Sequence, residues 1–210
     1  MAYDNSARAH AARETRTRVT AAARDLLLAH GYAATTIRAV AAAAGVSPET
    51  VYKAFGGKAG LLKAVYDVTL AGDDELVPMR DRPQFQALRS ARDPAGAAAA
   101  YAAIAGAIGD RVGPLLRIAL GASGSDPDLA AFADKIDSER LAGVRMVVGA
   151  WERQDWLRAN LTAEQAADIV WTLISPSVHA LFTRRSWDTP AYETWLAATL
   201  RATVLTDPPN

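Results

Sequence analysis

Residues 47–58 read Ser-Pro-Glu-Thr-Val-Tyr-Lys-Ala-Phe-Gly-Gly-Lys, which sets two hydroxyls, a carboxylate, a phenol and two ammonium groups within one short stretch. On a helix each residue turns about 100° from the last. With Val51 facing inward, Glu49 and Lys53 point outward and Thr50 and Tyr52 lie on the flanks. Such a face can meet base edges in a major groove while its hydroxyl and basic groups reach phosphates. Catalysis asks for other constellations. Ser, His and Asp are all present, but no G-x-S-x-G and no phosphate-binding glycine loop places them together. The absence of cysteine excludes disulfides, thiolate ligands and a cysteine nucleophile. His10, His30 and His179 lie far apart with no metal-ligand spacing, so neither a metal nor a cofactor is expected, and the chain does not read as an enzyme.

The elements that would hold this face are helices. In residues 35–62, TTIRAVAAAAGVSPETVYKAFGGKAGLL, the apolar stripe Ile37, Val40, Ala41, Ala44 marks a helix with Thr35 or Thr36 as its cap. It stops at Gly45, and Ser47 with Pro48 starts the next helix, where proline's missing N–H costs nothing. Two helices joined by a short Gly-containing turn form a helix-turn-helix. Ala41 keeps the crossing close, Gly45 takes the left-handed corner, and Val40, Val46 and Val51 fill the angle. A helix carrying Val19, Ala22, Ala23, Leu26 and Leu27 precedes the pair and ends at Gly31. Another follows from about Lys58 to Gly72. A helical hairpin whose polar face meets only water is the plain alternative. The caps, the preceding amphipathic helix, the local charge and the Gly-Lys that follows favour DNA in combination.

The net charge is zero but uneven: residues 1–60 hold eight basic against four acidic residues (+4), which leaves fifteen against nineteen (−4) for the rest. A basic N-terminal piece suits a polyanionic partner. Residues 1–12 carry Arg8 and His10 and are expected to be a disordered arm. No uninterrupted apolar run reaches the ~18 residues of a membrane helix, and the N-terminus has no apolar signal core. The chain is therefore expected in the cytoplasm, with no membrane partner.

The remainder also reads as helix. Residues 72–93, with Pro78 and Pro83, read as loop with a short helix near Gln84–Ser90. Asp93-Pro94 opens a helix through Ile108, Pro114 begins a short one, and Asp126-Pro127 begins a long one carrying Phe132, Ile136, Val144, Val147 and Trp151. Asp134, Asp137 and Glu139, with Lys135 and Arg140 between them, read as its solvated face. Thr162 caps a helix that Pro176 should kink, and Thr189-Pro190 opens the last one. All five tryptophans fall between residues 151 and 195.

The segment from Gly31 to Leu62, GYAATTIRAVAAAAGVSPETVYKAF-GGK-xxLL, resembles the DNA-binding domain of TetR/AcrR-type transcriptional repressors, and the likeness covers about residues 13–66. WTLISPSVHALFTRRSWDTPAYETWLAATL (residues 171–200) is similar to the last two helices of that family's variable domain, whereas about 72–125 match nothing. The resemblance implies an all-α fold: an N-terminal three-helix helix-turn-helix DNA-binding domain at 13–57, then a larger helical ligand-binding and dimerisation domain at 58–206. It implies that Thr36, Tyr52 and Lys58 hold phosphates, that Ser47, Glu49, Thr50 and Lys53 face bases, and that Arg38 belongs to the same DNA-binding set. Glu49 stands where many relatives carry a small residue, and it would accept from a cytosine amine or pair with Lys53. The partners implied are a double-stranded DNA operator, a second copy of the chain and an unknown small-molecule inducer. Tyr101, Ile104, Arg117, Trp171, Ser175 and His179 are the candidate ligand contacts. Leu181, Trp195, Leu196 and Leu200 are the candidate homodimer contacts. The competing reading is a helical adaptor whose helix-turn-helix is only structural.

Overall fold

A computed structural model of the chain describes residues 2–72 and 85–206, and side chains from Arg8 onward except that of Ser125. Pro78 and Pro83 lie outside the described residues. Helices account for the architecture; among the described residues β-pairing is limited to one isolated antiparallel bridge, Leu157 to Leu205. The chain divides into two compact units, residues 1–75 with 114–133, and residues 76–113 with 134–210.

The first unit opens with α1, Ala2–Ala34, broken at Gly31, whose φ of 75° and ψ of 177° suit glycine alone. The expected disordered arm is instead helical from Ala2. The local sequence gives the reason: residues 8–18 contain no Gly or Pro, are rich in Ala and Arg, and place His10 four residues before Glu14 with Nε2 and Oε1 3.3 Å apart. Val19, Ala23 and Leu27 line the buried side of α1, which packs on α2, Ile37–Ala44, and on α4, Lys58–Ala71. Between these lies α3, Pro48–Phe55. Val51 and Phe55 are buried, whereas Ala54 is exposed. By packing, α4 and residues 114–133 join this unit.

The short α5, Gln86–Ser90, precedes α6, Pro94–Ala122. Asp93 caps α6 by accepting from the Gly96 amide at 2.7 Å. Pro114 does not begin a helix of its own; it sits inside α6. Proline's fixed φ is itself helical, and buried Val112, Leu115 and Leu116 hold the helix in place around it. A 3₁₀ turn at Ser123–Ser125 leads to α7, Pro127–Glu152.

The second unit contains α5, α6 up to Gly113, α7 from Asp134, α8 (Ala163–Leu173), α9 (Pro176–Arg184) and α10 (Thr189–Thr203). Thr162 and Gln165 form a reciprocal capping box at the start of α8. Pro176 ends one helix and starts the next where a kink was expected. Ser175, with ψ 137°, takes the extended conformation forced on a residue before proline and accepts from the Ser177 amide at 3.3 Å as the cap of α9. Ala97, Ala98 and Ala102 of α6 are fully buried with Trp151, Val170, Leu196 and Leu200, so this alanine run serves close helix packing.

α6 comes close to α9 at Gly109, where a Cβ would lie 2.7 Å from His179 Cδ2. Gly109→Ala should therefore destabilise the protein by about 1–3 kcal/mol despite alanine's better helix propensity. Urea unfolding measures this; an unchanged midpoint would mean that the buried imidazole swings aside freely.

Candidate nucleic-acid interface

Three caps build the candidate reading face. Thr36 Oγ1 accepts from the Ala39 amide at 3.1 Å and starts α2. Gly45, at φ 66° and ψ 39°, closes α2 in the left-handed conformation, and the Val46 amide donates to the Ala41 carbonyl at 3.0 Å. Ser47 then accepts from the Thr50 amide at 3.2 Å and starts α3. Ala41 and Val51 are buried at the junction, and Val46 is partly so.

This packing leaves Thr36, Arg38, Ser47, Glu49, Thr50 and Lys53 exposed, with Tyr52 55% exposed. Three of these groups already have local roles. The Ser47 and Thr50 hydroxyls lie 3.2 Å apart. The Glu49 carboxyl is held below its usual range by hydrogen bonds from its own backbone amide and from Ser47. Its charge sits in the first turn of α3, where the helix dipole favours an anion. Glu49 thus has a structural reason to be acidic, separate from any base contact.

Lys58 is only half-exposed. Its ammonium lies 4.1 Å from the centroid of the Tyr32 ring and donates to the Ala33 carbonyl at 3.3 Å. Tyr32 in turn donates to Asp126 Oδ2 at 2.8 Å. Arg16 covers the Phe55 ring at 4.8 Å and so braces the end of α3 against α1. The sequence reading missed Tyr32 and Asp126 as neighbours of Lys58, because Asp126 is 94 residues from Tyr32 and showed only its helix-starting character.

The ligand candidates are placed unevenly. Tyr101, Ile104 and His179 are buried. Trp171 packs against the core that contains Tyr101. Its Nε1 is buried with no hydrogen-bond partner among the described residues. His179 Nε2 lies 3.2 Å from Asp110 Oδ1, and its ring meets Tyr192 edge-on at 4.8 Å. Ser175 is occupied as a cap, and Arg117 is exposed and belongs to the first unit. Arg140 was read as part of a solvated face, yet its side chain is only 17% exposed. The guanidinium lies 5.4 Å from the Trp171 ring centroid and donates to the Trp171 carbonyl at 2.9 Å. Among the described residues no cluster of three His, Cys, Asp or Glu side chains could hold a metal.

Of the dimer candidates, Leu181 is 54% exposed and Trp195 is half-buried. Leu196 and Leu200 require correction: both are fully buried within their own unit and leave no surface for a second copy. They lie on the face of α10 that packs with Val170 and Trp151. Trp187, which follows α9, is an exposed aromatic instead. No described helix is long and apolar enough to cross a membrane.

Residues 19–65 match the model for bacterial regulatory proteins of the tetR family. No curated protein sequence matches the chain. Among solved structures it is similar to a TetR transcriptional regulator from Chloroflexus aurantiacus, at 22% identity over 93% of this chain and 98% of that one, with a TM-score of 0.66. It is similar to NalD, the secondary repressor of the MexAB-OprM multidrug efflux pump in Pseudomonas aeruginosa, at 17% identity over 93% and 99%, TM-score 0.69. A putative transcriptional regulator from Saccharomonospora viridis, solved with choline, matches at 16% identity over 92% and 99%, TM-score 0.68. At these identities the likeness is one of fold.

Proposed function

We propose that this chain, a member of the TetR family of transcriptional regulators, acts as a homodimeric repressor that a small molecule releases from its DNA operator. The observation that carries the reading is the face of α3: it is anchored by buried Val51 and Phe55, and it presents Ser47, Glu49, Thr50, Tyr52 and Lys53 outward. A helix set on a buried hairpin with its polar side exposed is the arrangement that enters a major groove. NalD is a repressor and the S. viridis regulator was solved with choline, which supports repression and a small-molecule effector here. Inside the second unit, the buried Trp171 Nε1 offers an effector a hydrogen-bond donor. Such a ligand can act only through different affinities for the DNA-bound and DNA-free states.

A mobility shift with duplexes selected by the protein from a random-sequence pool tests the reading; an adaptor should select nothing at physiological salt. In our assignment Lys58 and Tyr52 hold phosphates, which carry no base information. Lys58→Ala and Tyr52→Phe should therefore weaken binding to all sequences alike, and Lys58→Ala should lower the salt slope by about one. Lys53 faces bases. Lys53→Ala should relax preference at one operator position, at a cost of about 1–3 kcal/mol. If Lys53→Ala leaves both affinity and preference unchanged, the assignment of α3 as the reading helix fails.

A further inference from the structure

The surroundings of Lys58 go beyond a lysine waiting at a surface. Its ammonium rests on the face of Tyr32, 4.1 Å from the ring centroid, and donates to the Ala33 carbonyl. The other end of Tyr32 is fixed by its 2.8 Å hydrogen bond to Asp126 Oδ2. Asp126 is fixed in turn, because its Oδ1 accepts from the Asp128 amide at 3.0 Å and the Leu129 amide at 3.4 Å, capping α7. The charges are consistent with this chain of contacts. The Tyr32 hydrogen bond holds the Asp126 carboxyl below its ordinary range. Burial, and next the bond to Asp126, holds the Tyr32 phenol above its own. Burial lowers the Lys58 ammonium, and Asp126 opposes that effect. A phenol that donates to a carboxylate also has an electron-richer ring, which strengthens the attraction of a cation on its face. Beside the ammonium lies a cleft of about 490 Å³ whose lining includes Gly56, Gly57 and Lys58 together with the carboxylates of Asp126 and Asp128.

We propose that Tyr32 and Asp126 are positioning residues for DNA binding: the hydrogen bond between them steadies the aromatic seat that aims Lys58, and so ties operator affinity to the first turn of α7. The proposal rests on the reading that Lys58 contacts a phosphate. Its mechanical consequence follows from connectivity. α7 is one continuous helix whose residues from Asp134 belong to the second unit. Withdrawing its first turn would release Tyr32 and leave Lys58 to the full rotamer freedom of a lysine, which weakens a contact that needs the ammonium in one place.

The experiment uses the full chain and a duplex it has selected from a random pool, with dissociation constants read by fluorescence anisotropy across a salt series. Lys58→Ala should weaken binding about tenfold and reduce the salt slope by about one. Tyr32→Phe keeps the ring, changes no charge and should weaken binding about fivefold, yet cost almost nothing in the Lys58→Ala background, because coupled residues are non-additive. Asp126→Asn and Asp126→Ala remove the same charge near DNA, but only asparagine keeps an acceptor for Tyr32 and a cap for α7. Asp126→Asn should bind at least as tightly as the wild type, and Asp126→Ala more weakly than Asp126→Asn by about the factor seen for Tyr32→Phe. Thermal melts confirm that each variant is folded. Additive effects of Tyr32→Phe and Lys58→Ala, or equal binding by the two Asp126 variants, would overturn the proposal while leaving the phosphate contact standing. An unchanged Lys58→Ala would remove the contact and the proposal with it.

Discussion

Gly60→Ala should destabilise the protein by about 3 kcal/mol or more, although helix propensity alone predicts a gain of about 0.5–1 kcal/mol. Gly60 lies in the first turn of α4, three residues after Gly57, which caps that helix. A Cβ there would collide with the Phe55 carbonyl oxygen. That oxygen is backbone at the end of α3, so relief requires α3 and α4 to part. Phe55 is buried and carries Arg16 on its ring, and Lys58 is two residues away, so parting them would disturb both the reading helix and the phosphate contact. Gly143→Ala is the matching control. Gly143 lies inside α7 with nothing within 4 Å of an added Cβ, and there the propensity gain of about 0.5–1 kcal/mol should appear. Urea unfolding of both variants and operator binding by Gly60→Ala are the measurements. If Gly60→Ala is as stable as the wild type and binds normally, the α3–α4 junction is not the tight joint described.

The contrast between these glycines marks what the sequence could show. The local features were readable because their partners lie within four residues. Ser47-Pro48, Asp93-Pro94 and Thr162 announce helix starts by satisfying free amides at once. Gly45 and Gly72 announce ends by taking φ values of 66° and 87°. The reading face followed from these, since fixing the caps of α3 and burying Val51 also fixes which side chains face out. Prolines were less legible, because the same residue gave different results: Pro176 starts a helix behind a serine cap, while Pro114 sits within one that buried leucines hold together. Contacts between distant residues left no sequence signal. Asp110 looks like any surface acid until His179 arrives 3.2 Å away. Arg140 looks solvated until Trp171 covers it. Leu196 and Leu200 looked free for a partner because a helical stripe shows that one face must be buried without showing against what.

Leu181→Glu combined with Trp187→Glu should convert the proposed dimer into a folded monomer and weaken operator binding about a thousandfold. Two large apolar side chains stand at the surface here, beside the exposed charges of Arg184, Arg185 and Asp188. Leu181 is 54% and Trp187 42% exposed. Trp187 meets Phe182 at 4.7 Å between ring centroids, and Phe182 meets Trp195 at 4.3 Å. This places an aromatic group at the end of α9 and on α10, of which Trp187 is exposed. Ser186, at φ 62°, holds the backbone in a left-handed turn just before Trp187, a conformation that costs free energy for a residue other than glycine. Large exposed aromatics beside an aliphatic side chain mark the centre of a protein interface more than a solvated surface. A glutamate buried there without a partner is strongly unfavourable, whereas on the free monomer it meets water at the cost of the Trp187–Phe182 ring contact, so the larger effect falls on association. The effect on DNA follows from valence. A dimer that holds one half-site binds the second as an intramolecular event, an advantage of about 10²–10⁴ that a monomer loses. Light scattering gives the mass, circular dichroism the fold, and anisotropy on the selected duplex the affinity. A variant that stays dimeric, or a monomer that binds as tightly as the wild type, would place the pairing surface elsewhere; a wild type that is itself monomeric at micromolar concentration would end the dimer proposal altogether.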